Sequence, residues 1–177
     1  MEESHARVRD FLGGRPDLPA IDATCGNGGD TLELARARCR VFAFDVQKAA
    51  VSAAKALLER NSLADRAVFF ECGHEEMESA LPREVSGRIR VAMFNLGWLP
   101  KSDKSVVTRP ESTLKALESL ETLMAPGDNL VSVLSYRGHA GGMDEFRAVK
   151  AHVGRFNPRV FGDESNAASP VLFVFSV

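Results

Sequence analysis

The sequence predicts an α/β fold in which a mostly parallel sheet is covered by helices on both faces. Short apolar runs rich in Val, Ile and Phe alternate along the chain with Ala- and Leu-rich helical stretches. The runs lack the polar alternation of half-exposed strands, which indicates that both faces of the sheet are buried. Two further apolar runs near the C-terminus are separated only by the six residues 164–169, too few for a parallel crossover. We therefore expect that last pair to be antiparallel.

The predicted elements follow one another in a regular order. Strands are predicted at residues 18–23, 40–45, 67–71, 89–95, 129–135, 158–163 and 170–177. Helices are predicted at residues 30–38, 47–60 and 111–124. The last helix has apolar residues at three- and four-residue steps and is bounded by Pro110 and by Ala-Pro-Gly at 125–127. A seven-stranded, mostly parallel sheet with an antiparallel C-terminal strand matches a Rossmann-like class I S-adenosylmethionine (SAM)-dependent methyltransferase better than a dinucleotide-binding domain.

Length and composition predict one domain over residues 1–177. The chain is 45% hydrophobic and carries a net charge of −2, so it is not built to coat nucleic acid non-specifically. Its three cysteines include no Cys-x-x-Cys pair, so we expect neither a disulfide framework nor a metal site. No apolar run approaches the roughly 18 residues that span a bilayer, and the first residues lack the apolar core of a secretory signal. We expect a cytoplasmic protein with no membrane partner.

The loop after the first strand has the glycine content of a ligand-binding turn. Residues 23–31 read ATCGNGGDT, and the glycines allow a tight turn and a close approach by a ligand. The dinucleotide fingerprint needs a further glycine where Thr31 stands. Acids flank the loop, and they favour the ammonium and sulfonium groups of SAM over a pyrophosphate. The candidate cofactor residues here are Asp22, Gly26, Gly28 and Asp30.

Two later strand ends supply further cofactor candidates. Asp45 ends the second strand and is placed to accept hydrogen bonds from ribose hydroxyls, although it is also suited to cap a helix. Gln47 follows at a helix start, within reach of the adenosine. His74 and Glu75 follow the third strand, where an adenine edge lies in such folds. The alternative for His74 is an ordinary surface histidine.

The end of the fourth strand carries the candidate catalytic residues. The side-chain oxygen of Asn95 and the carbonyl of Leu96 are placed to accept two hydrogen bonds from a substrate amine, which would aim its lone pair at the methyl group. Trp98 is suited to stack on a nucleobase, or else to fill the core. Amino-directed methyltransferases use an Asn-Pro-Pro-aromatic segment at this place.

A glycine-rich loop follows the fifth strand and contains Tyr136, Arg137 and His139. His139 is a candidate general base or base contact, with helix capping as the alternative. His5 and His152 are expected to be structural or merely exposed. Lys101, Lys104, Arg109 and Arg137 are predicted to frame the cavity mouth and contact RNA phosphates, the alternative being a solvated rim.

The motifs DATCGNGGDT, FDVQ, GHEEM, FNLGWLP and YRGHAGG together resemble a small bacterial family long labelled as rRNA methylases, of the MnmM or YtqB type. Its members are tRNA 5-aminomethyl-2-thiouridine methyltransferases. The resemblance implies methylation of the wobble-uridine aminomethyl group on the tRNA anticodon stem-loop. It places Asn27, Asp45, Gln47 and His74 at the SAM cofactor. It places Asn95, Asp103, Lys104, Thr108, Tyr136 and His139 at the substrate.

Two departures from the family pattern bear on substrate scope: Trp98 stands where tyrosine is common, and Lys101-Ser102 replaces two glycines. One alternative is an amine- or rRNA-directed methyltransferase with the same core. A nicotinamide-dependent oxidoreductase is disfavoured by the acids of the first loop. The small chain offers little surface for a whole tRNA, which leaves a homodimer open.

Overall fold

The computed structural model describes residues 2–97 and 107–177, which form one sheet with helices on both sides. The strands are β1 (Pro19–Asp22), β2 (Arg40–Phe44), β3 (Ala67–Phe70), β4 (Val91–Leu96), β5 (Leu130–Ser135), β6 (Arg159–Phe161) and β7 (Val171–Phe175). The helices are α1 (Glu2–Leu12), α2 (Gly29–Arg36), α3 (Lys48–Arg60), α4 (Met77–Ala80), α5 (Pro110–Leu123) and α6 (Gly142–Val153). No helix in these two ranges is long and apolar enough to cross a membrane.

The sheet has the strand order β3-β2-β1-β4-β5-β7-β6. The first five strands pair in parallel, and β7 runs antiparallel between β5 and β6. The prediction of a parallel core with an antiparallel C-terminal strand is therefore confirmed. Chain connections leave β1 in one direction and β4 in the other, so the switch point of the sheet lies between them. Ligands of open α/β sheets bind outside the carboxyl ends of the strands at such a point.

Side-chain alternation along the strands divides the core into two layers. On β2, Phe42 and Phe44 face the layer covered by α4, α5 and α6, whereas Val41 and Ala43 face the layer covered by α1, α2 and α3. Both layers are apolar, and all four of these residues are fully buried. Burial on both faces explains why the strands read as continuous apolar runs.

Helix α1 was not predicted, because its sequence is mostly polar. Its buried residues are Ser4, Val8 and Leu12, one at every fourth position, so a single narrow stripe faces the protein. The Ser4 hydroxyl lies 2.6 Å from the hydroxyl of Ser132 on β5. This buried hydrogen bond joins the start of α1 to the sheet.

Arg137 is a structural residue, and the prediction that it contacts substrate or phosphate is wrong. Its guanidinium is buried and lies 4.8 Å from the centroid of the Phe146 ring. It donates hydrogen bonds of 2.6–3.2 Å to backbone carbonyls of the segment between β6 and β7. The segment needs donors because its carbonyls face the protein without a strand partner, and the planar guanidinium offers five. The accepting carbonyls belong to Asp163, Glu164, Asn166 and Ser169.

We predict that Arg137→Leu lowers the free energy of unfolding by about 2–4 kcal/mol, because four backbone carbonyls lose a buried charged donor at once. Chemical denaturation measures the change. Arg147→Leu is the matched control, since Arg147 is exposed and pairs with the equally exposed Asp144 at 3.4 Å. Equal stability of the two variants would show that the segment does not depend on Arg137.

Candidate active site

A cavity of about 710 Å³ opens at the carboxyl edge of the parallel strands, at the switch point between β1 and β4. Each of the five parallel strands contributes the residues just after its end, and the start of α5 adds the remaining wall. The structure thereby brings together most of the residues predicted from the sequence. Those on the wall are Gly26, Asn27, Asp30, Asp45, Gln47, His74, Glu75, Asn95, Thr108 and Tyr136.

Asp45 closes the cavity beside the glycine loop. Its Oδ2 accepts a hydrogen bond of 2.9 Å from the Gly26 N–H, and its Oδ1 accepts one of 2.9 Å from the Gln47 N–H. Gly26 has φ +50°, a conformation that glycine adopts without strain and that turns its N–H toward Asp45. A carboxylate has about four acceptor positions, so each oxygen keeps capacity for a ligand hydroxyl.

Gly28 lies behind the cavity wall and serves packing. A Cβ at this position would lie 2.8 Å from the Cα of Ala54 on α3, and the residue has φ +86°. The glycine therefore allows α2 to start against α3. The prediction that Gly28 contacts the cofactor is corrected on this ground.

Asp22 lies beneath the loop and does not reach the cavity, so its predicted contact with the cofactor is wrong. The residue is fully buried because it ends β1 with its side chain turned toward α2. One oxygen accepts a 2.5 Å hydrogen bond from the Thr31 hydroxyl, and the other accepts one of 3.3 Å from the Thr24 N–H. Burial, followed by the negative charge of Asp30, raises the pKa of Asp22 to about 7.

Asp30 joins the N-terminal helix to the end of β4. Its Oδ1 lies 2.6 Å from Nε2 of His5, and its Oδ2 accepts a 2.6 Å hydrogen bond from the side-chain NH2 of Asn95. The hydrogen bond to Asp30 raises the pKa of His5 above its usual value. The backbone N–H of Asn95 donates to the Thr24 hydroxyl at 2.7 Å. Asn95 is thus held at both its backbone and its side chain.

His5 was expected to be structural or exposed, and its place beside Asp30 was missed. The sequence carries no local signal for this contact, because His5 stands alone on a polar helix 25 residues before its partner. Glu145 was missed for a similar reason. It is buried and accepts 2.7 Å hydrogen bonds from the hydroxyls of Thr108 and Thr113, which holds Thr108 at the cavity wall.

The Leu96 carbonyl accepts a 3.1 Å hydrogen bond from the Tyr136 N–H, and the residue does not line the cavity. This arrangement corrects the prediction that Leu96 is the second acceptor for a substrate amine, since the carbonyl extends the β4–β5 ladder instead. Tyr136 itself lies on the wall, and burial raises the pKa of its hydroxyl. His139 lies behind Gly97, with its Nε2 3.8 Å from the place that a Cβ on Gly97 would take.

His74 offers a buried acceptor to the cavity. The ring is 6% exposed, and burial lowers its pKa, so it is neutral near pH 7. One ring nitrogen bonds the backbone of Ala23, whereas Nε2 has no hydrogen-bond partner within the described residues. A buried polar atom without a partner is costly, which fits a ligand donor at this point.

Several predicted residues lie outside the described part of the chain: Trp98, Lys101, Asp103 and Lys104. Arg109 is exposed and lies on the cavity wall. Within residues 2–97 and 107–177, no group of three or more His, Cys, Asp or Glu side chains is placed to hold a metal ion.

Comparisons with known proteins agree with this architecture. A family model described as "Putative rRNA methylase" matches residues 41–164. The chain is 36% identical over 142 residues to a chloroplastic tRNA (mnm(5)s(2)U34)-methyltransferase of Arabidopsis thaliana, an alignment that covers 74% of this chain and 51% of the relative. The chain therefore spans about half the length of that curated relative.

Two solved structures are similar over nearly their whole length. One, described as a "putative rRNA-methylase" from Clostridium thermocellum, has a TM-score of 0.88 and 30% identity, with 99% of this chain and 95% of that chain covered. The other is described as a "putative methyltransferase" from Streptococcus mutans in complex with S-adenosylhomocysteine (SAH). It has a TM-score of 0.78 and 28% identity, with 97% of each chain covered. The predicted methyltransferase fold and the predicted family resemblance are both confirmed.

We predict that the effect of Asp22→Asn on the free energy of unfolding is more favourable at pH 8 than at pH 4. The folded pKa of about 7 lies above the ordinary 3.8, so the wild-type free energy of unfolding falls as pH rises between these values. An amide does not ionise, so the difference between variant and wild type should move by about 4 kcal/mol in the variant's favour. Denaturation at both pH values measures it, with exposed Asp10→Asn as the control. A pH-independent difference would contradict the raised pKa.

Proposed function

The chain belongs to the family described as "Putative rRNA methylase", and from this premise we propose that it is a SAM-dependent tRNA methyltransferase. Its substrate is the 5-aminomethyl group of the wobble (2-thio)uridine, and its product is the 5-methylaminomethyl form. The observation that carries the proposal is the Asn95 amide, fixed by Asp30 on a cavity wall that Asp45 shares. The plant relative's name refers to the same nucleoside.

The cavity residues fit SAM. Asp45 keeps acceptor positions for the ribose hydroxyls, and the unpartnered Nε2 of neutral His74 is suited to accept a hydrogen bond from an amino group. Asn27, Gln47 and Glu75 complete the wall on that side. SAM, when bound, supplies an electrophilic methyl group. The similar structure from Streptococcus mutans contains SAH, the product of such a transfer.

Asn95 is the residue that orients the reacting amine. A carboxylate only accepts hydrogen bonds, so the NH2 of the amide must face Asp30, and Oδ1 is the atom offered to a substrate. Methyl transfer needs a neutral amine, and a lysine-like amine has a pKa near about 10.4. The electron-poor uracil ring lowers that value, so an oriented acceptor serves better than a strong base. His139 or solvent takes the proton after transfer.

The macromolecular partner in this proposal is the tRNA anticodon stem-loop. Arg109 is an exposed cation on the cavity wall, and Lys101 and Lys104 belong to the adjoining stretch outside the described residues. Tyr136 and Trp98 are the proposed stacking and contact residues for the base. A homodimer would enlarge the RNA-binding surface. The proposed compartment is the cytoplasm, where free thiols such as Cys25 and Cys39 persist.

We predict that Asp45→Ala weakens SAH binding at least about tenfold, because a charged hydrogen bond contributes roughly 1.5–3 kcal/mol. Titration calorimetry measures the affinity, and thermal denaturation checks folding. Asp65→Ala, which removes an exposed acid far from the cavity wall, should bind as the wild type does. Unchanged affinity in Asp45→Ala would remove Asp45 from the cofactor site.

The proposed activity is tested by mass spectrometry of tRNA nucleosides after incubation with SAM and the protein. The substrate is tRNA that carries the 5-aminomethyl group. Asn95→Ala should raise the barrier by about 2–4 kcal/mol, the loss expected for a preorganised polar group, while SAH affinity stays within about twofold. Transfer to free amines but not to tRNA would favour the small-molecule alternative. Near-normal turnover by Asn95→Ala would contradict the acceptor role.

A further inference from the structure

We propose that His5 is a positioning residue for methyl transfer, acting through Asp30 on Asn95. The inference rests on the proposed function for the chemical step. Its structural part rests on contacts alone: His5 Nε2 to Asp30 Oδ1 at 2.6 Å, and Asn95 Nδ2 to Asp30 Oδ2 at 2.6 Å. His5 does not line the cavity, so its effect on a substrate must pass through the carboxylate.

The two donors together fix the rotation of the Asp30 carboxylate. Each oxygen has one short hydrogen bond, and the side chain is 3% exposed, so water has little access to replace either donor. Without His5, Oδ1 would be buried with no donor, and the carboxylate would rotate toward another one. That rotation weakens its hydrogen bond to the Asn95 NH2. The amide oxygen would then lose its fixed direction.

The charge of His5 matters as well as its geometry. Asp30 lies close to Asp22, another buried acid, and burying two negative charges side by side is energetically unfavourable. Protonated His5 is the ion-pair partner of Asp30. Within the described residues, the charged groups that face His5 are Asp30 and Glu33 of α2, and both favour its protonated form. The ion pair therefore places a positive charge beside the carboxylate that accepts the hydrogen bond from Asn95.

A matched control lies next to His5 in the sequence. Ser4 also makes a buried 2.6 Å hydrogen bond from α1, but its partner is Ser132 on β5. Ser4→Ala therefore weakens the docking of α1 without touching Asp30. A merely structural role for His5 predicts that the two substitutions act alike, whereas a positioning role predicts that only His5 affects the chemical step.

The test compares kcat and KM for tRNA in the wild type, His5→Ala, His5→Gln and Ser4→Ala. We expect kcat of His5→Ala to fall at least about tenfold, the scale of one lost charged hydrogen bond. KM and SAH affinity should stay within about twofold of wild type, because no group that contacts ligand is removed. In His5→Gln, the amide places an N–H donor where Nε2 was but carries no charge, so turnover should return in part. Ser4→Ala should keep the kcat of the wild type.

Equal losses of kcat in Ser4→Ala and His5→Ala, or no loss in His5→Ala, would overturn the proposal.

A second readout does not depend on activity. In the SAH-bound protein, NMR signals of the Asn95 side-chain NH2 should shift in His5→Ala and stay in place in Ser4→Ala. Asp30→Asn should lower the pKa of the His5 ring. Unchanged Asn95 signals in His5→Ala would overturn the inference. If the wild type transfers no methyl group to tRNA, the proposed function fails, and these signals alone decide whether His5 positions Asn95.

Discussion

Two buried carboxylates hold Asn95, and the architecture of the cavity depends on satisfying them. Asp30 binds the side-chain NH2 of Asn95 directly, while Asp22 binds the N–H of Thr24, whose hydroxyl accepts the backbone N–H of Asn95. Acids this close in a low-dielectric interior repel each other, so each must collect donors. A threonine hydroxyl from α2 serves Asp22, and His5 serves Asp30. The polar side chains around β1 are therefore needed as hydrogen-bond donors to these two carboxylates.

The sheet topology explains how such distant residues meet. The switch between β1 and β4 opens a gap at the carboxyl edge, and loops from both halves of the chain turn into it. His5, Asp30 and Asn95 come from α1, α2 and β4, so none of their contacts exists in a local fragment. Glu145 of α6 has a similar role at the opposite wall of the cavity, because its carboxylate accepts a hydrogen bond from the Thr108 hydroxyl. The site forms only when all of these segments are folded together.

The sequence predicts those features of the structure that depend on the local pattern of residues. The ends of the strands can be located from the apolar runs. Their positions predict Asp45 and Asn95 at the carboxyl edge of the sheet, where both line the cavity. Contacts between distant segments leave no such signal, and so the roles of His5 and Glu145 were missed. Arg137 shows the converse error. It follows a strand end in a glycine-rich loop, yet its side chain turns to backbone carbonyls of the segment between β6 and β7. That demand for donors arises from tertiary structure, which local pattern does not contain.

In the proposed reaction, positive charge moves from the cofactor sulfonium to the substrate nitrogen. A carboxylate that polarises the Asn95 amide increases the electron density on Oδ1, so the acceptor strengthens as the nitrogen becomes positive. A bare carboxylate at this place would instead bind the substrate as an unreactive ammonium ion, and stabilising that ground state would slow transfer. Pairing Asp30 with His5 reduces this attraction while keeping the hydrogen bond to Asn95. A histidine–aspartate pair behind an amide is thus better suited to a neutral amine than an acid alone.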